Sequence, residues 1–314
     1  MTKKIIVVTG ATGAQGGGLA RAILRDPDSD FAVRAITRNP DGAKARALAD
    51  SGAEVAAADL DNPAALAKAF TGAYGAYAVT NYWEHMDPAK EDTQARALAQ
   101  AAKDAGLEHV IWSTLEDTRR QIPLDDDRMP TLMGKYKVPH FDVKGEADQY
   151  FRELGVPTTF LHATFYWDNF ISSFPPVKGS DGRLALTLPM GDKKLAGIAT
   201  EDIGKCAYGV YQRGQEFIDK SVGIAGEHLT CGQIAAAMSR ALGQEVIYNA
   251  VAPEVFRSFD FPGAADLGNM FQYYADFEEE FCASHDPEFA RSLNPELLTF
   301  AQWLEQNKAR IPLG

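Results

Sequence analysis

A glycine-rich turn between an apolar run and a helical stretch limits the fold of this chain more than any other feature. Residues 5–8 are Ile-Ile-Val-Val, glycines follow at positions 10, 13 and 16, and an amphipathic stretch covers 19–25. Gly10 permits a tight turn, Gly13 lets the backbone approach a pyrophosphate, and Gly16 lets helix and strand pack closely. A strand, turn and helix in this order indicate a βαβ unit with an anion at the helix N-terminus.

Short β-branched runs alternate with helical stretches through the first half of the chain, which is typical of a parallel sheet. The predicted fold class is therefore α/β, a Rossmann doubly wound parallel sheet over residues 1–164. Its predicted strands are 5–8, 33–37, 54–58, 76–80, 109–113 and 158–162, and its predicted helices include 19–25, 64–70, 93–105 and 143–154.

The alternation fades after residue 164. Residues 165–191 are rich in proline and glycine, which predicts mostly loop with one hairpin. Helices are predicted at 232–242 and 296–306. We expect residues 165–314 to form a smaller α+β lobe at the carboxyl ends of the strands, with a late strand near 221–225 returning to the main sheet.

Composition argues against several classes of protein. The chain carries 31 Lys and Arg against 43 Asp and Glu, a formal charge of -12, which disfavours direct nucleic-acid binding. The three cysteines are far apart and form no C-x-x-C pair, so we predict free thiols with no metal site and no disulfide framework. The apolar run at 5–8 is too short for a signal peptide, and no run approaches a membrane span. A cytoplasmic protein is predicted, and the sequence does not indicate its oligomeric state.

The residues after the second and third strands predict which dinucleotide binds. Arg38 ends the second strand where NAD-preferring sites carry a carboxylate, which favours the 2′-phosphate of NADP(H); a solvated surface arginine is the alternative. Asp59 is expected to face the adenine, whereas capping of the helix at Pro63 is a rival role for Asp61 and, less so, for Asp59. The predicted cofactor-binding residues are Gly10, Thr12, Gly13, Gln15, Gly16, Arg38, Asp59, Leu60, Thr80, Asn81, Lys144 and Tyr166.

The loop at 9–16, Thr-Gly-Ala-Thr-Gly-Ala-Gln-Gly, together with 37–40 and 58–60, resembles the atypical short-chain dehydrogenase superfamily. Within it the chain resembles the NmrA-like family over nearly its whole length, through the stretches at 79–83, 109–113, 138–146 and 261–264. The resemblance implies a Rossmann domain with a small C-terminal domain and NADP(H) in the cleft. It also implies, for several members, redox sensing through protein partners, while other relatives reduce quinones or similar carbonyl compounds.

The catalytic pair of short-chain dehydrogenases, Tyr-x-x-x-Lys on one helix, is incomplete here. The spacing ends at Lys144 but begins at His140, so the tyrosine is missing. Tyr136 lies one turn earlier, but Pro139 is expected to start the helix, so Tyr136 need not point the same way. Leu115 falls at the place expected for the serine that polarises a carbonyl.

Lys144 lies on the apolar stripe of the predicted helix, where a charge needs a partner. We predict the cofactor ribose or nicotinamide as that partner; a salt bridge to Asp148 is the alternative. His140 is a candidate acid or base near neutral pH, with a structural role as the alternative. His140 and Lys144 are thus the candidate catalytic residues.

Aromatic residues follow the fourth and sixth predicted strands, at the edge of the sheet where ligands bind. Tyr82, Trp83, Phe165 and Trp167 are predicted to line a substrate pocket, although each could equally be core. The leading prediction is an NADP(H)-binding protein that senses redox state and acts through a protein partner without efficient catalysis. An NADPH-dependent reductase of a quinone, aldehyde or imine is the alternative, and a structural pseudo-enzyme that binds no nucleotide is the third.

Overall fold

The protein is described by a computed structural model that covers residues 2–179 and 181–313. Its strands are β1 Lys4–Val8, β2 Phe31–Thr37, β3 Glu54–Ala57, β4 Gly75–Ala78, β5 His109–Thr114, β6 Thr158–Ala163, β7 Phe165–Tyr166, β8 Val177–Lys178, β9 Leu184–Leu188, β10 Lys194–Ile198, β11 Ser221–Ile224, β12 Glu227–Thr230 and β13 Val246–Ala250. Its α-helices are α1 Gln15–Arg25, α2 Ala43–Asp50, α3 Pro63–Phe70, α4 Tyr82–His85, α5 Pro88–Asp104, α6 Pro139–Glu153, α7 Thr200–Gln212, α8 Cys231–Leu242, α9 Pro253–Arg257, α10 Ala264–Asp276, α11 Glu278–Ser284, α12 Pro287–Leu293 and α13 Phe300–Asn307.

Internal contacts divide the described residues into two compact units. Unit 1 is the chain up to Asp117 with Val143–Ala163 and Thr200–Val222, and unit 2 is Thr118–Asp142, Thr164–Ala199 and the chain from Gly223. A single boundary after residue 164 therefore does not describe this chain. The irregular stretch before α6 leaves unit 1, and α7 returns to it, because α7 packs against α1.

Unit 1 is built on a sheet of seven strands in the order β11-β6-β5-β4-β1-β2-β3. The pairings that join β1 to β6 into this sheet are all parallel. The order reverses at β1, which lies between β2 and β4, so a crevice for ligands is expected at the carboxyl ends of β1 and β4. The Rossmann fold and the late strand that joins the main sheet are confirmed.

The centre of this sheet is apolar. All residues of β4 and β5 are buried, as expected for parallel strands that are covered on both faces. The ring of Trp112 in β5 stacks on Phe151 of α6, with centroids 5.1 Å apart. The predicted strands and helices of the first half are all present, with ends that differ by a few residues, most at the starts of helices.

Helix α7, which the sequence analysis did not predict, packs closely against α1. A Cβ atom on Gly204 would lie 2.1 Å from the backbone nitrogen of Leu19, and one on Gly18 would lie 2.6 Å from the carbonyl oxygen of Glu201. The Arg21 guanidinium also donates to the Glu201 carboxylate across the contact, with Nε 3.0 Å from Oε1. Glycines are therefore required on both helices where they meet.

Unit 2 contains two sheets of three strands, β12-β10-β7 and β13-β9-β8. The antiparallel pair of β8 and β9 is the hairpin predicted within 165–191. Helix α8 begins with a capping box between Thr230 and Gln233. Helix α13 begins with a capping box at Thr299, and its first residue, Phe300, comes four positions after the predicted start at residue 296. No described helix is long and apolar enough to cross a membrane. Among the described residues no group of three His, Cys, Asp or Glu side chains could hold a metal ion.

Candidate functional site

The glycine-rich turn has the geometry that a dinucleotide site requires. Gly10 has φ of 60°, and its carbonyl oxygen accepts from the backbone N–H of Gly13 at 2.8 Å. A Cβ on Gly16 would lie 2.4 Å from the carbonyl oxygen of Thr9, so helix and strand can approach this closely because residue 16 is glycine. Helix α1 has no side-chain cap at Ala14 and no acidic residue in its first turn. Its amino end therefore offers uncapped donors to an anion.

The side chain of Gln15 connects this turn to the centre of the sheet. The Tyr77 hydroxyl of β4 donates to Gln15 Oε1 at 2.5 Å, and the Ser113 hydroxyl of β5 donates to the same oxygen at 2.8 Å. Both hydroxyls hold the Gln15 amide in one orientation. Thr12, the other polar member of the predicted set in this turn, is half-buried.

The ends of β1 and β4 are joined by Thr9. Its hydroxyl accepts from the Val79 backbone N–H at 2.8 Å and lies 3.0 Å from the Val79 carbonyl oxygen, to which it can donate. Thr80, which is buried, and Asn81, which is exposed, follow directly. Both residues thus lie at the edge where the strand order reverses, as the sequence predicts.

Lys144 is held in a buried ion pair. Its Nζ lies 2.5 Å from Oε1 of Glu91 on α5 and 2.6 Å from Oγ1 of Thr80. Lys144 is 8% exposed and Glu91 is not exposed. Burial raises the pKa of the Glu91 carboxyl. The charge and the hydrogen bond of Lys144, with smaller effects of other neighbours, lower this pKa by more than burial raises it, so the net shift is downward. The partner of Lys144 in this structure is therefore Glu91, not Asp148.

Asp148 has a different environment, one turn along α6. Its Oδ1 accepts from the Thr114 hydroxyl at 2.7 Å and from the indole N–H of Trp112 at 3.0 Å. Burial raises the pKa of the Asp148 carboxyl to about 6, although these donors and nearby cations lower it in part.

His85 adds a third titratable group beside the buried pair. Its Nε2 lies 3.4 Å from Oε2 of Glu91, and its Nδ1 accepts from the backbone N–H of Asp87 at 3.0 Å. The sequence analysis missed Glu91 and His85. One signal was available, because Glu91 shares the buried face of α5 with Ala95 and Leu98, four and seven residues further on.

Arg38 follows β2 and lies at the surface, where it forms an ion pair with Glu84 of α4. Asp59 is half-buried, and its Oδ1 accepts from the backbone N–H of Asp61 at 3.0 Å. The cap of α3 is Asn62, which accepts from the backbone N–H of Ala65. The capping role considered for Asp61 and Asp59 is therefore wrong.

Asp61 instead contacts α5. Its Oδ2 lies 2.9 Å from Nζ of Lys90, and its Oδ1 accepts from Gln94 at 2.8 Å. Leu60, between the two aspartates, packs partly buried against the core of unit 1.

The aromatic residues predicted to form a pocket wall divide between the two units. In unit 1, Tyr82 is 2% exposed and Trp83 is 39% exposed, with their rings 5.5 Å apart. In unit 2, Phe165 packs against Phe170 and Phe271 and is buried. These contacts place Tyr82 and Phe165 in the cores of their units, the alternative that the sequence left open.

Trp167 also lies in the core of unit 2. Its ring is 2% exposed and packs on Phe300 and Trp303, with centroids 5.4 and 6.4 Å away. A Cβ on Gly226 would lie 2.6 Å from Cη2 of Trp167, so the indole fits against a glycine. Trp167 is therefore a core residue and does not line a pocket. The neighbouring Tyr166, in β7, is half-buried.

His140, at the first turn of α6, belongs to unit 2. Its Nδ1 lies 2.6 Å from Oδ1 of Asp266, and its backbone N–H donates to Oδ2 of the same carboxylate at 3.2 Å. Both side chains are buried. Sequence reasoning missed Asp266, which lies in the first turn of α10 just after the left-handed Gly263. Pro139 does start α6, as predicted.

Unit 1 thus holds all but one of the predicted cofactor residues, and unit 2 holds the remaining one, Tyr166, together with other candidate site residues. Those of unit 1 are Gly10, Thr12, Gly13, Gln15, Gly16, Arg38, Asp59, Leu60, Thr80, Asn81 and Lys144, and the candidates in unit 2 are His140, Phe165, Tyr166 and Trp167.

Comparison with known families and proteins gives one consistent result. The model of the NmrA-like family matches residues 2–304. A curated relative, the NmrA-like family domain-containing oxidoreductase FrzB of Cladobotryum sp, is 27% identical over an alignment of 291 residues, and the match covers 86% of this chain and 83% of the relative.

Two solved structures share the fold over nearly their full length. The negative transcriptional regulator NmrA, crystallised with NADP, is 25% identical with a TM-score of 0.78, over 98% of this chain and 95% of that one. The triphenylmethane reductase of Citrobacter sp., crystallised with NADP(H), is 23% identical with a TM-score of 0.74, over 96% of this chain and 99% of that one. At that identity the reductase supports the fold alone.

Proposed function

Because the chain belongs to the NmrA-like family, we propose that it binds NADP(H) and senses the redox state of this cofactor, which it reports to a protein partner. One observation carries the proposal: an intact dinucleotide turn lies in the same unit as a lysine whose charge is neutralised by a buried glutamate. The NADP-bound regulator NmrA supports the cofactor and the regulatory role.

Binding is assigned to residues of unit 1. The backbone of Gly10, Gly13 and Gly16 and the amino end of α1 would hold the pyrophosphate, and Arg38 would hold the 2′-phosphate. Asp59 and Leu60 would lie along the adenosine, and Thr80, Asn81 and Lys144 would face the nicotinamide ribose. When bound, the cofactor carries a hydride in its reduced form and a positive nicotinamide in its oxidised form. The buried pair of Lys144 and Glu91 would therefore lie near a positive nicotinamide in the oxidised state and a neutral one in the reduced state.

The same geometry supports the proposal that catalysis is weak. In an active short-chain dehydrogenase the lysine charge lowers the pKa of a tyrosine that transfers the proton. Here Lys144 faces the Glu91 carboxylate at 2.5 Å, which reduces its effect on any other group. The residue four positions before Lys144 is His140, whose ring contacts Asp266. A route through a protein partner fits the net charge of -12, which disfavours direct contact with nucleic acid.

The test is to measure binding and turnover on the same sample. We expect tight binding of NADP+ or NADPH, weaker binding of NAD(H), and no NADPH consumption above background with a panel of quinones, aldehydes and imines. Turnover well above background would overturn the proposal that the protein is a sensor without efficient catalysis. If a Lys144→Ala variant bound NADP(H) as tightly as wild type, Lys144 would not be part of the cofactor site.

The second candidate is an NADPH-dependent reductase, favoured by the relatives named as oxidoreductases and by the buried contact of His140 with Asp266. In that case a proton would come from His140 or from water. His140→Ala separates the two candidates, because it should slow a histidine-dependent reductase and leave cofactor binding by a sensor unchanged.

A further inference from the structure

The arginine assigned to the 2′-phosphate already has an anionic partner. Nη1 of Arg38 contacts Oε1 of Glu84, and Nη2 donates to Oε2 at 3.2 Å. This two-point contact uses the pair of N–H groups with which an arginine binds a phosphate. The side chains are 62% and 46% exposed, so both remain accessible to a ligand. A phosphate at this arginine therefore has to compete with Glu84.

Glu84 is held near Arg38 by its short helix. Tyr82 is buried and contacts the ring of His85, with centroids 6.0 Å apart. The helix closes at Met86, whose backbone N–H donates to the carbonyl oxygen of Tyr82 at 2.7 Å. The hydrogen bond from Arg38 lowers the pKa of the Glu84 carboxyl, so Glu84 is ionised near neutral pH.

The surroundings of Arg38 are acidic. The negative charges of Asp59 and Asp61 also raise the pKa of Arg38. Nζ of Lys90 lies 2.9 Å from Oδ2 of Asp61. The three carboxylates of this cluster therefore outnumber its two cations by one. A phosphate monoester carries a charge of about −1.5 to −2 at pH 7 and is repelled by each of these carboxylates. The 2′-hydroxyl of NAD(H) is neutral and meets no such repulsion.

We propose that Glu84 determines the cofactor preference of this protein by competing with the 2′-phosphate of NADP(H) for Arg38. The inference rests on the proposed binding of NADP(H). Arg38 supplies the attraction for the 2′-phosphate, and Glu84 limits it, so that NADP(H) is favoured over NAD(H) by less than the arginine alone would give. Specificity of this kind combines an attractive and a repulsive element.

The experiment measures dissociation constants of NADP+ and NAD+ for wild type, Glu84→Gln and Arg38→Ala. Glu84→Gln keeps the size of the side chain and removes its charge. We expect it to tighten NADP+ binding about two- to fivefold, within the range of an exposed ion pair, and to change NAD+ binding less than about twofold. Arg38→Ala should weaken NADP+ alone.

Glu54→Gln is the matched control. Glu54 pairs with Arg34 at 2.8 Å, and Arg34 lies on β2, the strand that Arg38 follows. The control removes the same charge from another arginine–glutamate pair, and it should leave the ratio of the two dissociation constants unchanged.

Two results would overturn the inference. If Arg38→Ala weakens NADP+ but Glu84→Gln has no effect, Arg38 binds the phosphate without competition, and the proposed function stands. If Glu84→Gln weakens NAD+ instead, Glu84 is a ribose ligand. Failure of wild type to bind either nucleotide would overturn the proposed function and this inference together.

Discussion

Nζ of Lys144 lies 2.5 Å from Oε1 of Glu91, and both side chains are buried within unit 1. The lysine comes from α6 and the glutamate from α5, so the pair joins two helices beside the edge of the sheet. A buried charge without its partner is costly, whereas the pair as a whole contributes little net stability. The two residues should therefore depend on each other more than on any nearby group.

Glu91→Gln should lower the free energy of unfolding by about 3–5 kcal/mol, because it leaves the Lys144 ammonium buried without a counter-charge. Chemical denaturation measures the change. The double variant Glu91→Gln with Lys144→Met should recover much of the loss.

The control for this prediction is Glu305→Gln. It breaks the exposed pair of Glu305 with Lys308, which are 2.7 Å apart, and should cost less than about 0.5 kcal/mol. A loss at Glu91→Gln no larger than at Glu305→Gln would contradict the buried ion pair.

The raised pKa of Asp148, about 6 against an ordinary 3.8, predicts a pH dependence of stability. The folded state binds the proton more tightly than the unfolded state, so this group's contribution to stability is lost as pH rises from about 4 to above 6. Asp148→Asn cannot titrate, so the difference between wild type and variant should shift by about 2–3 kcal/mol across this range.

Denaturation of both proteins at several pH values checks this, with Asp104→Asn on the exposed face of α5 as a control for charge. Parallel curves for wild type and Asp148→Asn would mean that the carboxyl titrates normally.

Gly13→Ala tests the dinucleotide turn. Its Cβ would lie 3.1 Å from the Gly10 carbonyl oxygen, a tight contact that small shifts can relieve, so the fold should persist. In the proposed binding mode the pyrophosphate approaches the backbone at this glycine, so a methyl group here would obstruct it. We expect NADP+ and NAD+ binding to weaken together by about tenfold or more, with an unchanged far-UV spectrum. Weakening of one nucleotide alone would contradict the role of Gly13.

Gly204→Ala tests the contact between α1 and α7. The new Cβ would overlap the backbone of Gly18 and Leu19, at 2.4 and 2.1 Å, and backbone cannot rotate away. A loss of about 1–3 kcal/mol and a lower Tm are expected.

Gly232→Ala on α8 is the comparison, since its Cβ would lie 3.8 Å from Thr230 Oγ1, an ordinary contact. It should be neutral or slightly stabilising, because alanine is the better helix former. Equal losses at the two positions would show that the close approach of α1 and α7 is not what requires glycine.

The sequence was sufficient for those parts that local physics decides. The apolar strand before Gly10 and the alternation up to residue 163 predicted the Rossmann sheet, and Pro139 predicted where α6 starts. The inward position of Lys144 was also correct. These features depend on periodicity, turn residues and strand order, which a single sequence displays.

The partners of the polar groups could not be predicted in this way. Glu91, Glu84 and Asp266 lie 53, 46 and 126 positions from Lys144, Arg38 and His140, and no local pattern connects them. The position of Trp167 after a strand left a pocket wall and a core position equally open, whereas in the structure Gly197 and Gly226 provide the space that its ring fills in a core. Such contacts depend on tertiary packing.

The return of α7 to unit 1 has a consequence for biosynthesis. The glycine-bearing face of α1 leaves the ribosome long before α7, the helix that covers this face, which starts at residue 200. A nascent chain therefore carries the nucleotide turn on an incompletely covered helix until α7 has been translated. Unit 1 cannot complete its folding until Thr200–Val222 have been translated, and a chain shortened to residue 164 would lack both α7 and β11.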